Sequence, residues 1–337
     1  MVRSAHGDIV ALEARNGTLW LMRAVEQGLF TGSSRNNSLE FDGFQKQMID
    51  NGNIIDAQGM PLSEALLENT CAVTAQNFGM VSDCFLSLQA IANIAKTFFP
   101  RERAMLPAPV KGVVGVPITH FSSQNGIFNF NPDVFIREGQ GSLATANTGA
   151  PATTALAIAS ADAAGTTYHL LAVAYDWKVS AVNSNGESLA VGGSIAQTAT
   201  LGSRVALTIT ISTATPTTDQ PAASAYKIYR KTATGNYLYL KTVVPADDSG
   251  YTVGNPTFTV YDDGTYIEGT SPAYFFDMNP MQVMSFKQLA PIMKLPLATI
   301  SAAIRFMVLL YGVPILYAPK KGAIVINVGS SPTPLNI

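Results

Sequence analysis

The side chains that most often carry catalysis are few in this 337-residue sequence, and they stand apart from one another. The three histidines, His6, His120 and His169, belong to no HExxH pattern, and no serine occupies a GxSxG turn. Such motifs matter because they bring a nucleophile, a base or a metal ligand onto one short element. We therefore predict no catalytic residue and interpret each histidine as a structural or surface side chain.

The cysteines and glycines indicate no metal and no nucleotide cofactor. Cys71 and Cys84 have no second pair and no nearby histidine, so the sequence predicts buried free thiols rather than a disulfide framework or a zinc site. Gly112 and Gly115 in KGVVGVP lack the third glycine and the following helix whose N-terminus holds a pyrophosphate. We predict no bound cofactor.

Two pairs of aspartates have the oxygen atoms that calcium prefers. Asp247-Asp248 and Asp262-Asp263 each stand shortly before a glycine, and neither shows the alternating carboxylates of a calcium loop. We interpret both pairs as parts of turns, and we predict no metal site.

The charge balance excludes a strongly basic nucleic-acid binder. Lys and Arg together number 21 against 23 Asp and Glu, which gives a net charge of -2. Only 13% of the residues are charged, about half the usual share, and this indicates a subunit with large contacts rather than a free monomer. Arg101-Glu102-Arg103 and Lys320-Lys321 are interpreted as solvated turns, with contacts to phosphates or to a neighbouring subunit's carboxylates as the alternative.

Membrane insertion is not predicted. The N-terminal residues have no apolar core of a signal peptide. The most apolar stretch, 306–319, is shorter than the roughly 20 residues of a membrane span, and Gly312 and Pro314 interrupt it. We expect a pair of buried strands there.

An all-β module is predicted over residues 145–271. SAYKIYRKTATGNYLYLKTV (224–243) alternates aromatic and β-branched residues around a turn, as a hairpin does. Similar runs at 175–190, 203–211 and 257–264 bring the count to at least five strands, which favours a β-sandwich. Its tyrosines are interpreted as core and cross-strand residues, with a stacking surface for sugars as the alternative.

The flanking sequence is mixed. Apolar residues at helical spacing predict helices over 8–30, over 63–79 ended by Gly79, and over 88–100 stopped before Pro100, with a buried strand at 82–88. Strands and turns are expected over 111–136. The fold class is therefore α+β.

The mixed parts are predicted to form one discontinuous domain around the module. We assign 1–144 to its first part, 145–271 to the inserted sandwich and 272–337 to its return segment, in which a short segment and a proline-bounded loop precede the strands. The Thr/Ala-rich run 141–160 and the segment 266–280 are expected to be the entry and exit linkers. Residues 306–328 are expected to lie beside the first helix.

A resemblance to a known family lies in these flanks. The segments LEFDGF, MPLSEALLENTCAVTAQNFGMVSDCFLSLQAIANIAKTFFPRERAML and MNPMQVMSFKQLAPIMKLPLATISAAIRFMVLLYGVPILYAPKKGAIVINVG resemble the major capsid proteins of tailed bacteriophages, which have the Hong Kong 97-type fold. The likeness covers roughly 8–136 and 272–329. The insert resembles an immunoglobulin-like, fibronectin type III-like module.

The resemblance implies a structural, non-enzymatic subunit of an icosahedral head shell. Many copies would form pentamers and hexamers around the genome, with portal, decoration or scaffolding proteins as other partners, only indirect contact with packaged DNA and no membrane. In the family an N-terminal arm and an extended loop precede the long helix, so we expect that upstream part to be missing or reduced here. Two other functions remain open: a virion surface adhesin or carbohydrate-binding protein, and an enzyme with an accessory β-domain.

Overall fold

The structure is a computed structural model, and it describes residues 9–35, 40–102, 118–136, 149–151, 157–163, 167–183, 185–211, 216–217, 220–232, 235–278, 282–297 and 306–336. Within these residues the chain is a mixed α+β fold, as predicted. In chain order its helices and strands are α1 (Ile9–Thr31), α2 (Phe44–Asn51), β1 (Asn53–Asp56), α3 (Glu64–Gln76), β2 (Asp83–Ser87), α4 (Leu88–Glu102), β3 (His120–Ser123), β4 (Gly126–Asp133), β5 (Ala157–Ala163), β6 (Ala174–Asn183), β7 (Gly186–Glu187), β8 (Val191–Thr198), β9 (Arg204–Thr210), β10 (Ala225–Thr232), β11 (Leu238–Val243), β12 (Thr257–Asp262), β13 (Ser271–Phe276), β14 (Met284–Pro296), β15 (Phe306–Leu316) and β16 (Ala323–Val328). Short 3-10 turns occupy Pro245–Asp247 and Pro319–Lys321.

A six-stranded sheet forms the centre of the mixed part, which we call the core. Its strand order is β1-β16-β13-β2-β4-β3, so strands from the last quarter of the sequence lie between strands from the first half. β16 is parallel to β1 and antiparallel to β13, and β2 is parallel to β4. All six residues of β16 are buried, which is typical of a strand that is covered on both faces.

Helices cover both faces of this sheet. Because successive side chains of a strand point to opposite faces, Phe275 of β13 packs into one apolar cluster and Tyr274 into another. The first cluster includes Leu67 of α3 and Ile94 of α4, whereas the second includes Phe30 at the end of α1. The helices and the strand alternation therefore give the core three layers.

The predicted helices are present, with differences at their ends. The Ser63 hydroxyl accepts a hydrogen bond from the Leu66 N–H at 3.3 Å and so caps the start of α3. The prediction that the next helix stops before Pro100 is wrong, because α4 continues to Glu102. Proline has a backbone φ that suits a helix, so the helix continues through Pro100 with the loss of one i→i−4 hydrogen bond.

Two further sheets, which we call the two-sheet unit, pack against each other. One has the order β11-β10-β6-β7, with β8 also paired to β6, and the other has the order β12-β9-β5. Both contribute to one apolar cluster around the fully buried Trp177. The predicted hairpin is β10 and β11, and a bulge between Ile228 and Tyr229 shifts its register. The predicted strands in 175–190, 203–211 and 257–264 are confirmed.

The two predicted linkers are partly strands. β5 begins at Ala157, inside the predicted entry linker 141–160. The predicted exit 266–280 contains β13, whose last four residues are buried in the middle of the core sheet. A short run of apolar residues such as AYFF is compatible with a strand covered on both faces, and the turn-forming residues before it obscured this signal.

The segment 284–316 differs most from expectation. β14 and β15 form a long two-stranded antiparallel sheet, where a proline-bounded loop and a pair of buried strands were predicted. Pro291 falls where the β14 register shifts, which is where a strand tolerates proline. Residues 306–319 contain one strand, and Pro314 and Leu316 are its buried residues. As predicted, this strand lies beside the first helix: a Cβ added at Gly17 of α1 would be 3.8 Å from the Val308 side chain.

Candidate interaction surface

The residues with catalytic potential do not come together. His120 begins β3 and is exposed, with its Nδ1 3.0 Å from the Thr119 hydroxyl, and the His169 backbone N–H donates to the Asp263 carbonyl at 2.8 Å. His6 lies outside the described residues. Cys71 and Cys84 are free and buried, as predicted, and burial raises the pKa of both thiols.

Both pairs of aspartates accept hydrogen bonds from backbone N–H groups in turns. Asp247 accepts from the Val244 N–H at 2.8 Å, and Asp248 accepts from the N–H groups of Gly250 and Thr259, each at 2.8 Å. Asp262 and Asp263 accept from the N–H groups of Gly264 at 3.2 Å and Thr265 at 3.0 Å, as turn residues do, but Asp262 also ends β12 and is buried. Within the described residues no three His, Cys, Asp or Glu side chains are grouped so that they could hold a metal ion.

Asp262 belongs to a buried charge cluster that the sequence did not reveal. Its carboxylate accepts from Trp177 Nε1 at 2.7 Å and from Arg230 Nη1 at 2.9 Å, and Arg230 also contacts Glu268 at 2.8 Å. Burial alone would raise the pKa of Asp262 and lower that of Arg230. The attraction between the two charges exceeds this effect, so the pKa of Asp262 is lowered and that of Arg230 is raised. This geometry stabilises two opposite charges and leaves neither available for chemistry.

The exit from the two-sheet unit is bound to the core. Asn327, at the end of β16, has a φ of 57° and directs its amide towards this exit. Its side-chain nitrogen donates to the Thr265 carbonyl at 2.7 Å and to Asp56 at 2.8 Å, while its oxygen accepts from the Ile267 N–H at 3.0 Å. On the unit's side, Arg230 donates to the Tyr266 carbonyl at 3.0 Å. The segment is therefore hydrogen-bonded on both sides rather than behaving as a free linker.

A cleft of about 640 Å³ lies between the core and the two-sheet unit. Several of its ionisable lining groups are already paired. Lys227 contacts Glu187 at 2.7 Å, and the Glu187 carboxylate also accepts from the hydroxyls of Ser180 and Tyr229. Burial opposes ionisation of Glu187, but these donors together lower its pKa. Lys46, on the opposite wall, is paired with Asp50.

The most unusual surface is apolar. The helix α1 packs one side against β15, and beyond this contact both the helix and the hairpin carry large apolar side chains that face solvent. Trp20 is 71% exposed and Leu289 is 87% exposed. We call these exposed side chains together the apolar lobe; its members are Leu12, Leu19, Trp20, Met22, Leu289, Ile292, Leu295, Leu297, Met307, Tyr311 and Val313.

Eleven large exposed apolar side chains on one helix and one hairpin are typical of elements that contact another protein. Isolated exposed hydrophobic residues are normal, but contiguous patches of more than a few hundred Å² mark interaction sites. The sequence predicted the helical stripe of α1, with Leu12, Leu19 and Met22 among its members, and the structure leaves these three uncovered. The low charge content was the signal that pointed to such contacts.

Comparisons with known proteins find several relatives of this chain. The chain is 26% identical over 318 residues to the protein assigned as major capsid protein in Enterococcus phage phiEF24C, which covers 91% of this chain and 66% of the relative. It is 28% identical over 313 residues to the major capsid protein of Staphylococcus phage S25-3, covering 88% of this chain and 64% of the relative. This chain is similar to phage major capsid proteins.

The likeness is spread along the chain and is not confined to one motif. The major capsid protein of Staphylococcus phage K is 27% identical over 314 residues, with 88% of this chain and 64% of the relative covered. The chain thus spans slightly less than two thirds of the length of these relatives. No protein-family model matches it. Among the described residues, no helix is long and apolar enough to cross a membrane.

Proposed function

We propose that this chain is a major capsid protein subunit of a bacteriophage, and that many copies assemble into the icosahedral head shell around the genome. The observation that carries the proposal is the similarity to phage major capsid proteins over 88 to 91% of the chain. The role is structural and not enzymatic, and the location is the virion. The relatives' names give no support to an adhesin.

The apolar lobe supports self-association. Trp20 on α1 and Leu289 on β14 are apolar, largely exposed and carried on regular elements. Covering such side chains with the surface of a like subunit removes apolar area from water, which is the main source of association free energy. A charge content of 13% keeps the cost of removing charges from water low at such contacts.

For the fold we propose a Hong Kong 97-type core, with residues 1–144 and 272–337, and an inserted immunoglobulin-like sandwich at 145–271. Two features support this division. The core sheet combines strands from both flanks, and the two-sheet unit has an apolar cluster of its own. Pentamers and hexamers of this chain are the proposed assembly units, with portal, decoration or scaffolding proteins as further partners and with no direct role in binding DNA.

Electron microscopy of the purified chain and of its native particle tests the function. We expect closed shells with rings of five and six copies, in which the apolar lobe lies inside contacts between copies. Contacts through residues 63–136 and the C-terminal part are also expected. A fibre, or a chain that remains a monomer at high concentration, would contradict the capsid function.

A further inference from the structure

Phe78 has an unusual backbone conformation for an aromatic residue. It follows the end of α3 with a φ of 60°, in the left-handed region, and its side chain is 90% exposed. The Gly79 N–H donates to the Thr74 carbonyl and the Phe78 N–H donates to the Ala75 carbonyl, each at 3.0 Å. This pattern is a Schellman motif, in which glycine normally occupies the position that Phe78 holds.

The neighbouring glycine is used for close packing. A Cβ on Gly79 would be 2.5 Å from the Lys321 carbonyl oxygen, so this position must remain glycine whatever its own φ is. Gly79 was predicted to end the helix, and it does so through its N–H, while the left-handed conformation falls on Phe78. An exposed aromatic residue that carries backbone strain gains nothing from the fold of this chain and points to a functional contact.

Further exposed apolar side chains are grouped around Met80, two residues after Phe78. Met80 and Ile127 are both more than half exposed, and a Cβ added at Gly126 would be 3.2 Å from Met80 Cγ, so Met80 lies over the turn that precedes Ile127. The Met80 N–H donates to Asp277 at 3.5 Å, next to the exposed Met278. We call Phe78, Met80, Ile127 and Met278 the tip patch.

We propose that the tip patch contacts a second copy of this chain, with Phe78 as its most exposed side chain. This rests on the proposed function. Four such side chains present on the order of 400 Å², well below the roughly 800 Å² per partner of a stable binary complex. The patch is therefore too small to hold a partner alone, and it suits one that other contacts already hold in place, such as a neighbouring copy in a shell.

The position of the patch agrees with this choice. The tip patch lies on the end of α3 and the adjoining strands, whereas the apolar lobe lies on α1, β14 and β15. Two different apolar surfaces on one chain fit head-to-tail contacts between copies, because such contacts join unlike surfaces and close into rings.

A photo-crosslinker identifies what covers the patch. We expect that p-benzoylphenylalanine placed at Phe78 of the full chain, irradiated in purified particles, gives a covalent dimer of this chain. Val253, 95% exposed in the two-sheet unit, is the matched control position and is expected to give no such dimer. Mass spectrometry of the product identifies the second peptide. A product with a different protein, or no product at Phe78, overturns the inference.

Substitution tests whether the contact matters for assembly. Phe78→Asp should lower the particle yield by about tenfold or more, as the loss of a central contact side chain does, whereas Val253→Asp should leave it unchanged. Phe78→Gly should lower it too, although this variant relieves the backbone strain and folds at least as well. Particles at the unsubstituted yield from both Phe78 variants would overturn the inference.

Electron micrographs of the unsubstituted chain and of the Phe78 variants separate the tip-patch contact from the capsid function. If the unsubstituted chain forms shells and the Phe78 variants do so equally well, the inference fails and the capsid function stands. If the unsubstituted chain forms no shells, both fail.

Discussion

Arg230 and Asp262 are charged side chains in the interior of the two-sheet unit, and each is retained because the other neutralises it. The Arg230 guanidinium reaches both Asp262 oxygens at 2.9 Å and also contacts Glu268. Removing two charges from water is unfavourable, so such a cluster adds little stability compared with apolar residues. Its role here is positional, since it joins β10, the end of β12 and the exit segment.

Arg230→Met should destabilise the two-sheet unit by about 3–5 kcal/mol, because Asp262 would remain buried without its partner. Adding Asp262→Asn should recover part of this loss by removing the unpaired charge. Urea unfolding followed by tryptophan fluorescence measures both effects, since Trp177 donates to Asp262.

Lys231→Met is the matched control for that experiment. Lys231 is the next residue of β10 and contacts Asp176 at 3.2 Å, but this pair is partly exposed. Its loss should cost less than about 1 kcal/mol. Equal effects of the two substitutions would show that the buried cluster has no special role.

Phe78 offers a second test at a single position. Phe78→Gly should raise the free energy of unfolding of the unassembled chain by about 1 kcal/mol, because glycine adopts a left-handed φ without steric strain. Phe78→Leu keeps the strain and should give no gain. Thermal or urea unfolding of the dissociated chain measures the difference, and a destabilised glycine variant would contradict the assignment of strain.

Among the secondary-structure elements, α1 and the β14–β15 hairpin differ from the rest in how little of their apolar surface is covered. β13 and β16 are built from similar residue types but are buried in the core sheet. The difference lies in position, because helices cover both faces of the core sheet, while the hairpin packs on α1 and contacts α2 only near Pro314 and Leu316, whose backbone groups bond Gln47. The side chains of the apolar lobe are therefore free to be buried by another molecule.

Trp20→Asp and Leu289→Asp should reduce assembly strongly and leave the fold of the subunit intact, since both side chains already face solvent in the single chain. A charge placed in a buried apolar contact lowers association by about tenfold or more. Sedimentation velocity measures assembly and circular dichroism measures the fold.

Leu201→Asp is the control for the lobe variants. Leu201 is also exposed, but it lies in the two-sheet unit before β9. The Leu201→Asp variant should assemble like the unsubstituted chain. Normal shells from both lobe variants would mean that the apolar lobe is not a contact between copies.

At the scale of the whole molecule, the two-sheet unit has an apolar interior of its own, and its exit segment is bound to the core. Its apolar cluster draws on strands from β5 to β12, while Asn327 binds the exit segment from the core side. Arg35, which follows α1, adds a contact to Asp247 at 2.5 Å. The core thus holds the unit in a defined orientation without sharing its interior.

Residues 145–271 expressed alone should therefore fold and unfold in one cooperative transition of β type. Compared with the full chain, we expect a loss of stability only in the exit segment, because Asn327 is absent from the isolated unit. Circular dichroism against urea concentration measures the transition. A broad, non-cooperative change would show that the unit depends on the core and that the boundaries are wrong.

The sequence by itself determined the class of the fold and most of its local elements. The alternation of Tyr226 and Ile228, and the helical spacing of Leu66 and Val73 in the predicted helix 63–79, depend on residues within a few positions, so they could be predicted locally. The resemblance to phage capsid proteins also came from the sequence.

Only the tertiary structure decided which apolar surfaces are covered. The stripe of α1 and the strand β16 look alike as patterns, but one faces solvent and the other is buried, because burial depends on what packs against an element and not on its own residues. The same reason explains Asp262. Its neighbours in the sequence indicate a turn, but its burial depends on Arg230, which is 32 positions away. It also explains Phe78, because the packing of Gly79 on Lys321 is a contact between distant parts of the chain.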